Sequence, residues 1–128
     1  MKFNKLIPEL SVSNIEESKK FYLNLGFKIM YERLENKFCF IQYEENQLMI
    51  EENNDNWNTG VMEHPYGRGI NISMEVSNVE ILRNNAITNN YKLYKDIMIN
   101  KYRVDDKIYI DKEFLIQDPD GYLLRFTQ

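Results

Sequence analysis

The stretch Val12-Ser13-Asn14-Ile15-Glu16 decides the fold, because it returns 64 residues later as Val76-Ser77-Asn78-Val79-Glu80 in a chain of 128 residues. Each copy has the Ser-x-x-Glu spacing of a capping box. In that motif the serine hydroxyl accepts a hydrogen bond from a first-turn amide and the glutamate reaches back to the cap amide. Each copy also follows a strand-like segment, Leu6–Val12 or Ile70–Val76. The repeat therefore predicts two helices that begin at equivalent points, each capped by its serine.

The equivalence continues through both predicted helices. Apolar and small side chains recur at helical spacing, at Ile15, Ser18, Phe21, Tyr22 and Leu25 in the first and at Val79, Leu82 and Ala86 in the second. Gly26 and Asn90 then follow at matching positions. Glycine and asparagine best tolerate the left-handed conformation that commonly ends a helix. We therefore predict that the two helices end at these residues.

Three strand-like runs follow each predicted helix. They are Lys28–Arg33, Lys37–Tyr43 and Gln47–Glu52, with Glu45-Asn46 as a tight turn, and then Asp96–Arg103, Ile108–Gln117 and Tyr122–Thr127. Asp118-Pro119-Asp120-Gly121 supplies the last turn, in which side-chain capping accounts for both carboxylates. We predict an α+β fold in which residues 1–128 form one domain. It contains a βαβββ module in 1–52, a linker in 53–68 and a second βαβββ module in 69–128, and the modules form a cupped mixed sheet.

Composition argues against several classes of function. The single cysteine, Cys39, cannot form an intrachain disulfide, and its place in a strand-like run predicts a buried thiol. No apolar run approaches the about 20 residues that span a bilayer, so we expect no membrane partner. The net charge is −4 and there is no basic patch, so we expect no nucleic-acid partner. Residues 1–5 contain no apolar signal stretch, and the cytoplasm is the expected location.

Two motifs at opposite ends of the chain point to a known family. Leu10–Asn14 leads into Phe21-Tyr22-Leu23-Asn24-Leu25-Gly26-Phe27, and Phe114–Leu124 contains the Asp-Pro-Asp-Gly turn. Together they resemble the vicinal oxygen chelate superfamily of glyoxalases, extradiol dioxygenases and bleomycin-resistance proteins. The segment Pro65–Asn71 resembles members of the bleomycin-resistance type. The resemblance implies a two-fold homodimer, often with modules exchanged between chains, and the linker is long enough to permit such an exchange.

Enzymes of this superfamily hold a divalent metal with His, Gln or Glu side chains from the first and last strands of each module. Aligning the motifs places these positions at Ile7, Ile50, Asn71 and Arg125. None of the four is an ordinary metal ligand. Glu9 would face the same side as Ile7, whereas Glu51 would do so only if the alignment were shifted by one residue. We therefore predict no metal, no cofactor and no catalytic residue. An enzyme of the same superfamily with an atypical or absent metal site is the alternative.

Aromatic side chains are the remaining candidates for ligand binding, because the chain has nine tyrosines, seven phenylalanines and one tryptophan. Candidates on the strands are Tyr31, Phe38, Phe40, Met49, Tyr102 and Tyr109, with Arg125 as a charged neighbour. Core packing explains any one of them equally well. Trp57 lies in the polar segment Asn53–Asn58, where it either pins the linker to the body or forms a wall of a cleft. Tyr66 and Arg68 share this ambiguity.

The leading hypothesis is a non-catalytic protein that sequesters a small aromatic or cationic ligand such as bleomycin and so confers resistance. In bleomycin-resistance proteins, aromatic rings from two subunits sandwich the flat part of the drug and acidic groups meet its cationic tail. The resemblance therefore implies a homodimer with a ligand cleft. A sensor or interaction module that uses the same cleft is a third class of function.

Overall fold

The computed structural model describes all 128 residues and shows an α+β fold, as predicted. The elements in chain order are β1 (Glu9–Val12), α1 (Ile15–Leu25), β2 (Lys28–Arg33), β3 (Phe38–Tyr43), β4 (Asn46–Glu52), β5 (Asn71–Glu75), α2 (Val79–Thr88), β6 (Leu93–Val104), β7 (Lys107–Gln117) and β8 (Leu123–Thr127). A short 3-10 turn, Leu34–Asn36, joins β2 to β3. Residues 53–70 contain no helix or strand. No helix is long and apolar enough to cross a membrane.

The eight strands form two four-stranded mixed sheets of identical topology. The strand orders are β1-β4-β3-β2 and β5-β8-β7-β6, with the outer pairs β1·β4 and β5·β8 parallel and the remaining pairs antiparallel. In each module the first strand pairs in parallel with the last, β1 with β4 and β5 with β8. A parallel pair requires a crossover connection, and here that connection contains the helix. The predicted βαβββ modules are thus present. The strands are hydrogen-bonded in two separate sheets, one in each module, where one cupped sheet is predicted.

The predicted serine caps are wrong. Asn14 and Asn78 are the N-caps, and their side chains accept hydrogen bonds from the amides of Glu17 and Glu80. Asparagine caps a helix at least as well as serine, and here it stands one residue nearer to the helix. The predicted end of α1 is confirmed, because the helix stops before Gly26 at φ +124°. Helix α2 ends at Thr88 with Asn89 as its C-cap, and the predicted end residue Asn90 adopts the left-handed φ of +62° directly after the cap.

The turn between β3 and β4 lies one residue earlier than predicted. Tyr43 pairs with Asn46, so Glu44 and Glu45 form the two-residue connection instead of Glu45 and Asn46. Glu44 adopts φ +52°, a left-handed conformation of the kind that two-residue hairpin turns require. Asn46 is consequently the first residue of β4.

Both modules share one hydrophobic core. It contains 20 buried residues drawn from both helices and from the helix side of both sheets. Phe21 and Phe27 lie in this core, as expected, and the Cys39 thiol is fully buried there. Burial raises the pKa of Cys39 to about 11, so the thiol remains protonated at neutral pH.

Carboxylates at the hairpin turns join the modules reciprocally. The Ser13 amide donates to Oδ2 of Asp120 at 2.9 Å, and the Ser77 amide donates to Oε1 of Glu44 at 2.8 Å. Each strand–helix corner is therefore held by a turn of the other module. The predicted capping role of the Asp-Pro-Asp-Gly turn is confirmed for Asp118, whose Oδ1 accepts from the amides of Asp120 and Tyr122. It is wrong for Asp120, whose carboxylate binds the Ser13 amide instead.

Candidate functional site

The side of each sheet that faces away from its helix is called the open face. Side chains alternate along a strand, so the neighbours of core residues lie on this face. In the first sheet it carries Glu9, Ser11, Phe38, Phe40, Met49 and Glu51, and in the second sheet Asn71, Ser73, Glu113, Leu115, Leu123 and Arg125. The first open face is thus acidic and aromatic, and the second carries an arginine.

The predicted position of Ile50 on the open face is wrong. Ile50 is fully buried in the core and pairs with Leu10, whereas Glu51 pairs with Ser11 on the open face. A shift of one residue turns every side chain of a strand to the other face, and the motif alignment contained such a shift. Glu51 therefore takes the place expected for Ile50. Ile7 lies before the first residue of β1.

A cleft of about 650 Å³ lies between the edge strands of the two sheets. Glu9 and Ser11 of β1 line one side, and Asn71 and Ser73 of β5 line the other. The linker contributes Trp57, a residue that is 65% exposed. Other lining residues are Leu6, Pro8, Thr59, Met62, Ile70 and Leu123. This central cleft is mostly apolar in surface, with a few polar groups directed into it.

Glu9 in the wall of the central cleft and Glu51 beside Glu9 set the electrostatics of the cleft. Desolvation raises the pKa of Glu9, and the negative charge of Glu51 raises it further. The Arg33 charge and a polar contact with the Trp57 indole oppose this rise. Glu51 also accepts a hydrogen bond of 2.7 Å from the Asn54 side chain. The linker therefore binds Glu51 through Asn54 and brings the Trp57 indole near Glu9. A positive charge entering the cleft would relieve the repulsion between the two carboxylates.

Four of the predicted ligand-binding residues form one cluster on the first open face. The rings of Tyr31 and Phe40 are stacked at 5.2 Å, Phe38 lies 5.8 Å from Tyr31, and Met49 pairs with Phe40. The N-terminal segment covers part of this cluster, because Phe3 contacts the Phe40 ring edge-on at 5.4 Å. Phe38 and Phe40 are buried in this arrangement. None of the four lines the central cleft.

Tyr66 and Arg68 make contacts within the linker and with the final turn. The Tyr66 amide donates to the Asp120 carbonyl at 2.7 Å, and its ring packs edge-on against Tyr122. The Arg68 guanidinium donates to the carbonyls of His64 and Pro65. These contacts stabilise the loop around Gly67, which lines the central cleft. Ligand-binding roles for Tyr66 and Arg68 remain predictions.

Tyr102 and Arg125 lie on the second module. Tyr102 stacks on Tyr109 at 5.6 Å, on the long hairpin of β6 and β7. Arg125 donates to Oε2 of Glu113 at 3.1 Å, and Asn100 donates to Oε1 of the same carboxylate. Of the ten candidates for ligand binding, the structure brings only Trp57 into the central cleft.

Sequence reasoning considered Glu9 and Asn71 only as positions near a metal site, and it missed Ser11 and Ser73, which line the cleft beside them. Alternation along β1 and β5 could have grouped each pair on one face. The sequence does not show that β1 and β5 lie on opposite sides of one cleft, since this depends on packing between modules.

The donor set of the open faces does not fit the metal that superfamily enzymes hold. Glu9 and Glu51 offer carboxylate oxygens, Asn71 and Ser73 offer weak neutral oxygens, and Arg125 carries a fixed positive charge. No imidazole is available, because His64 lies elsewhere, and no three His, Cys, Asp or Glu side chains lie together in a metal-binding group. No reaction step through a metal can be derived from these residues.

A second cleft, of about 720 Å³, lies where α1 meets the final turn. It is lined by Phe21, Tyr91 and Tyr94, with His64 and Lys92 at its rim. Although larger, it lies mainly on the helix side of the molecule, and Gln117 is its one wall residue from an open-face position. The central cleft is the better candidate because the first strand of each module and the Trp57 ring build its walls.

Comparisons with known proteins bear on the fold. No family model matches the sequence, and no curated protein matches it. A glyoxalase/bleomycin resistance protein/dioxygenase from Alicyclobacillus acidocaldarius is 20% identical with a TM-score of 0.67, covering 97% of this chain and 89% of its own. A virulence protein from Salmonella typhimurium is 15% identical with a TM-score of 0.71, covering 100% and 98%. A bleomycin-binding protein complexed with bleomycin is 15% identical with a TM-score of 0.67, covering 98% of both chains. The chain therefore has the duplicated βαβββ fold of glyoxalase/bleomycin-resistance structures.

Proposed function

We propose that this protein binds a small organic molecule in the central cleft without transforming it, and that the ligand is planar and carries a positive charge. The observation that carries the proposal is an apolar cleft lined by the Trp57 ring and the Glu9 carboxylate, with the Glu51 carboxylate close enough to act on Glu9. Sequestration of a bleomycin-like antibiotic, with resistance as its consequence, is the specific form of the proposal. A homodimer is part of it.

The size and lining of the cleft support this function. Small-molecule sites measure roughly 300–1,000 Å³ and combine apolar walls with a few directed polar groups. A ring that stacks on Trp57 gains about 0.5–1.5 kcal/mol beyond the area that it buries. Trp57 is largely exposed in the free protein, so its face is accessible to a ligand.

The choice of bleomycin as the first probe comes from one neighbour in fold. A bleomycin-binding protein shares the fold over nearly the whole chain, but at 15% identity. This likeness shows the fold alone. The proposed class of ligand therefore depends on the chemistry of the cleft.

Trp57 is the single tryptophan, and its fluorescence therefore reports on the central cleft alone. Bleomycin should quench or shift this emission with a saturable titration, and isothermal calorimetry should give the same dissociation constant. Glu9→Gln and Glu51→Gln should each weaken binding. Glu35→Gln is the matched control, because this exposed glutamate lies outside the cleft. Equal binding by all three variants would refute the role of the carboxylates, and no binding at all would remove bleomycin as the ligand.

One observation favours the alternative of a superfamily enzyme. A carboxyl with a raised pKa beside a second carboxylate in a cleft is a common arrangement for acid–base catalysis, and Glu9 beside Glu51 has it. Purified protein incubated with Mn²⁺ or Zn²⁺ and then desalted should retain no stoichiometric metal if the binder is correct. Retention that is lost in Glu9→Gln or Glu51→Gln would favour the enzyme.

A further inference from the structure

The long hairpin of β6 and β7 extends beyond the rest of its sheet. Strand β8 pairs with β7 only from Glu113 to Gln117, and the last contact is the pair of backbone hydrogen bonds between Lys112 and Gln128. From Asn100 and Asp111 to the tip, β6 and β7 pair only with each other. This segment, residues 99–112, is called the ribbon. A two-stranded ribbon in water is marginally stable, so a packing partner would stabilise it.

One face of the ribbon is aliphatic and uncovered. Cross-strand pairing places Ile99 opposite Lys112, Lys101 opposite Ile110 and Arg103 opposite Ile108, all on the helix side. The ion pair between Lys112 and Glu80 joins the base of this face to α2. Beyond this ion pair, Ile99 is 60% exposed, Ile108 is 61% exposed and Ile110 is 64% exposed. Single exposed apolar residues are ordinary, but three adjacent isoleucines on an otherwise bare strand pair indicate an interaction surface.

The charges of the ribbon are divided along its length. Asp105 and Asp106 form the turn at the tip, whereas Lys101 and Arg103 lie on the shaft among the isoleucines. None of these four side chains takes part in an ion pair within the chain. An identical ribbon packed in the opposite direction would place the acidic tip of each copy against the basic shaft of the other. The lysine and arginine stems can lie along the isoleucines while their charged ends reach the partner's tip.

We infer that the isoleucine face of the ribbon packs antiparallel on the same face of a second copy of this chain, across a two-fold axis. A two-fold contact requires a self-complementary surface, and the acidic tip and basic shaft provide one. The inference assigns an interface to the proposed homodimer. It can fail while ligand binding in the central cleft stands, and ligand binding can fail while it stands.

Two charge-reversed variants test this interface. The tip variant is Asp105→Lys/Asp106→Lys, and the shaft variant is Lys101→Glu/Arg103→Glu. Each places like charges against each other in its own dimer, so each should raise the dissociation constant of the dimer by more than about tenfold in sedimentation equilibrium. An equimolar mixture of the two should form a heterodimer, because both contacts are then between opposite charges. Lys20→Glu/Lys28→Glu, with two exposed lysines outside the ribbon, is the matched control and should dimerise as the wild type does.

The wild-type protein provides a measurement that does not depend on variants. Hydrogen exchange at amides of residues 99–111 should slow as the protein concentration rises through the dimerisation range. Wild-type protein that stays monomeric at tens of micromolar would overturn the inference. A dimer whose ribbon amides show no added protection, or which both charge-reversed variants leave unchanged, would overturn it as well.

Discussion

The Tyr22 hydroxyl donates a hydrogen bond of 2.8 Å to Oδ2 of Asp118, and this bond connects α1 of the first module to the final turn of the second. Both side chains are buried. The bond therefore lies inside the junction between the modules, where water cannot replace it.

Removing the hydroxyl should weaken the junction. Tyr22→Phe should lower the free energy of unfolding by about 1.5–3 kcal/mol, the range for a hydrogen bond to a charged group. Urea denaturation at pH 7.5 measures the change. Tyr94→Phe is the control, because that ring is exposed and its hydroxyl makes no hydrogen bond within the chain. Equal stability of both variants would show that the bond contributes nothing.

The Asp118 carboxyl should make stability depend on pH. Burial raises its pKa to about 6, against the hydrogen bonds from Tyr22 and from the Tyr122 amide, which lower it. The pKa in the unfolded chain is about 3.9, so the native state binds more protons between these values. The contribution of Asp118 to stability is therefore fully present below about pH 4 and is lost as the pH rises through about 6. Its size is about 2–3 kcal/mol.

The comparison with Asp118→Asn isolates this contribution. Other carboxylates titrate in the opposite sense, such as Asp96, whose pKa the Arg83 hydrogen bond lowers to about 2. We expect the wild type to gain stability relative to Asp118→Asn as the pH falls from 7.5 to 4.5. Parallel curves for the two proteins would contradict the raised pKa.

Trp57→Ala should weaken ligand binding more than it weakens the fold. The residue is 65% exposed, so its truncation should change the free energy of unfolding little. Loss of ring stacking should raise the dissociation constant of bleomycin roughly two- to tenfold in calorimetry. Tyr94→Ala, which removes an exposed ring from the second cleft, should leave binding unchanged. If Tyr94→Ala weakened binding instead, the ligand would occupy the second cleft.

Gly121→Ala should destabilise the final turn. Gly121 has φ +97°, and a Cβ at this position would lie 2.6 Å from Cα of Pro65. Left-handed strain and the clash with backbone together should cost more than about 2 kcal/mol in thermal unfolding. Gly60→Ala is the control, since nothing lies within 4 Å of its added Cβ, and it should change stability by less than about 0.5 kcal/mol. Similar losses for both variants would contradict this placement of Pro65.

The helices, the strands and their order could be predicted because their signals are local. Gly26 and Asn90 mark helix ends by their backbone freedom, and β2 begins and ends as predicted at Lys28 and Arg33. The caps were misassigned because Ser13 and Asn14 are adjacent and both are capping residues. Local patterns could not decide which one faces the helix and which is held by Asp120.

The candidate site was predicted less well because it depends on register and on contact between modules. Period two correctly placed Phe38 and Phe40 on one face, opposite Cys39. It could not fix the parallel pairing of Glu9 with Met49, which brings Glu51 to the open face. The central cleft arises where β1 and β5 face each other, and the sequence of neither strand indicates that the other lies opposite. Trp57 was identified because a large ring in a polar segment has no local explanation.

The reciprocal bonds from Ser13 to Asp120 and from Ser77 to Glu44 have a consequence for cooperativity. Each half of the polypeptide supplies an acceptor that the other half's backbone requires, so neither half is self-sufficient. We expect heating to produce a single calorimetric transition in which both halves melt together. A proteolytic nick between residues 53 and 64 should leave the two fragments associated, because the common hydrophobic core and the reciprocal hydrogen bonds hold them together without the linker.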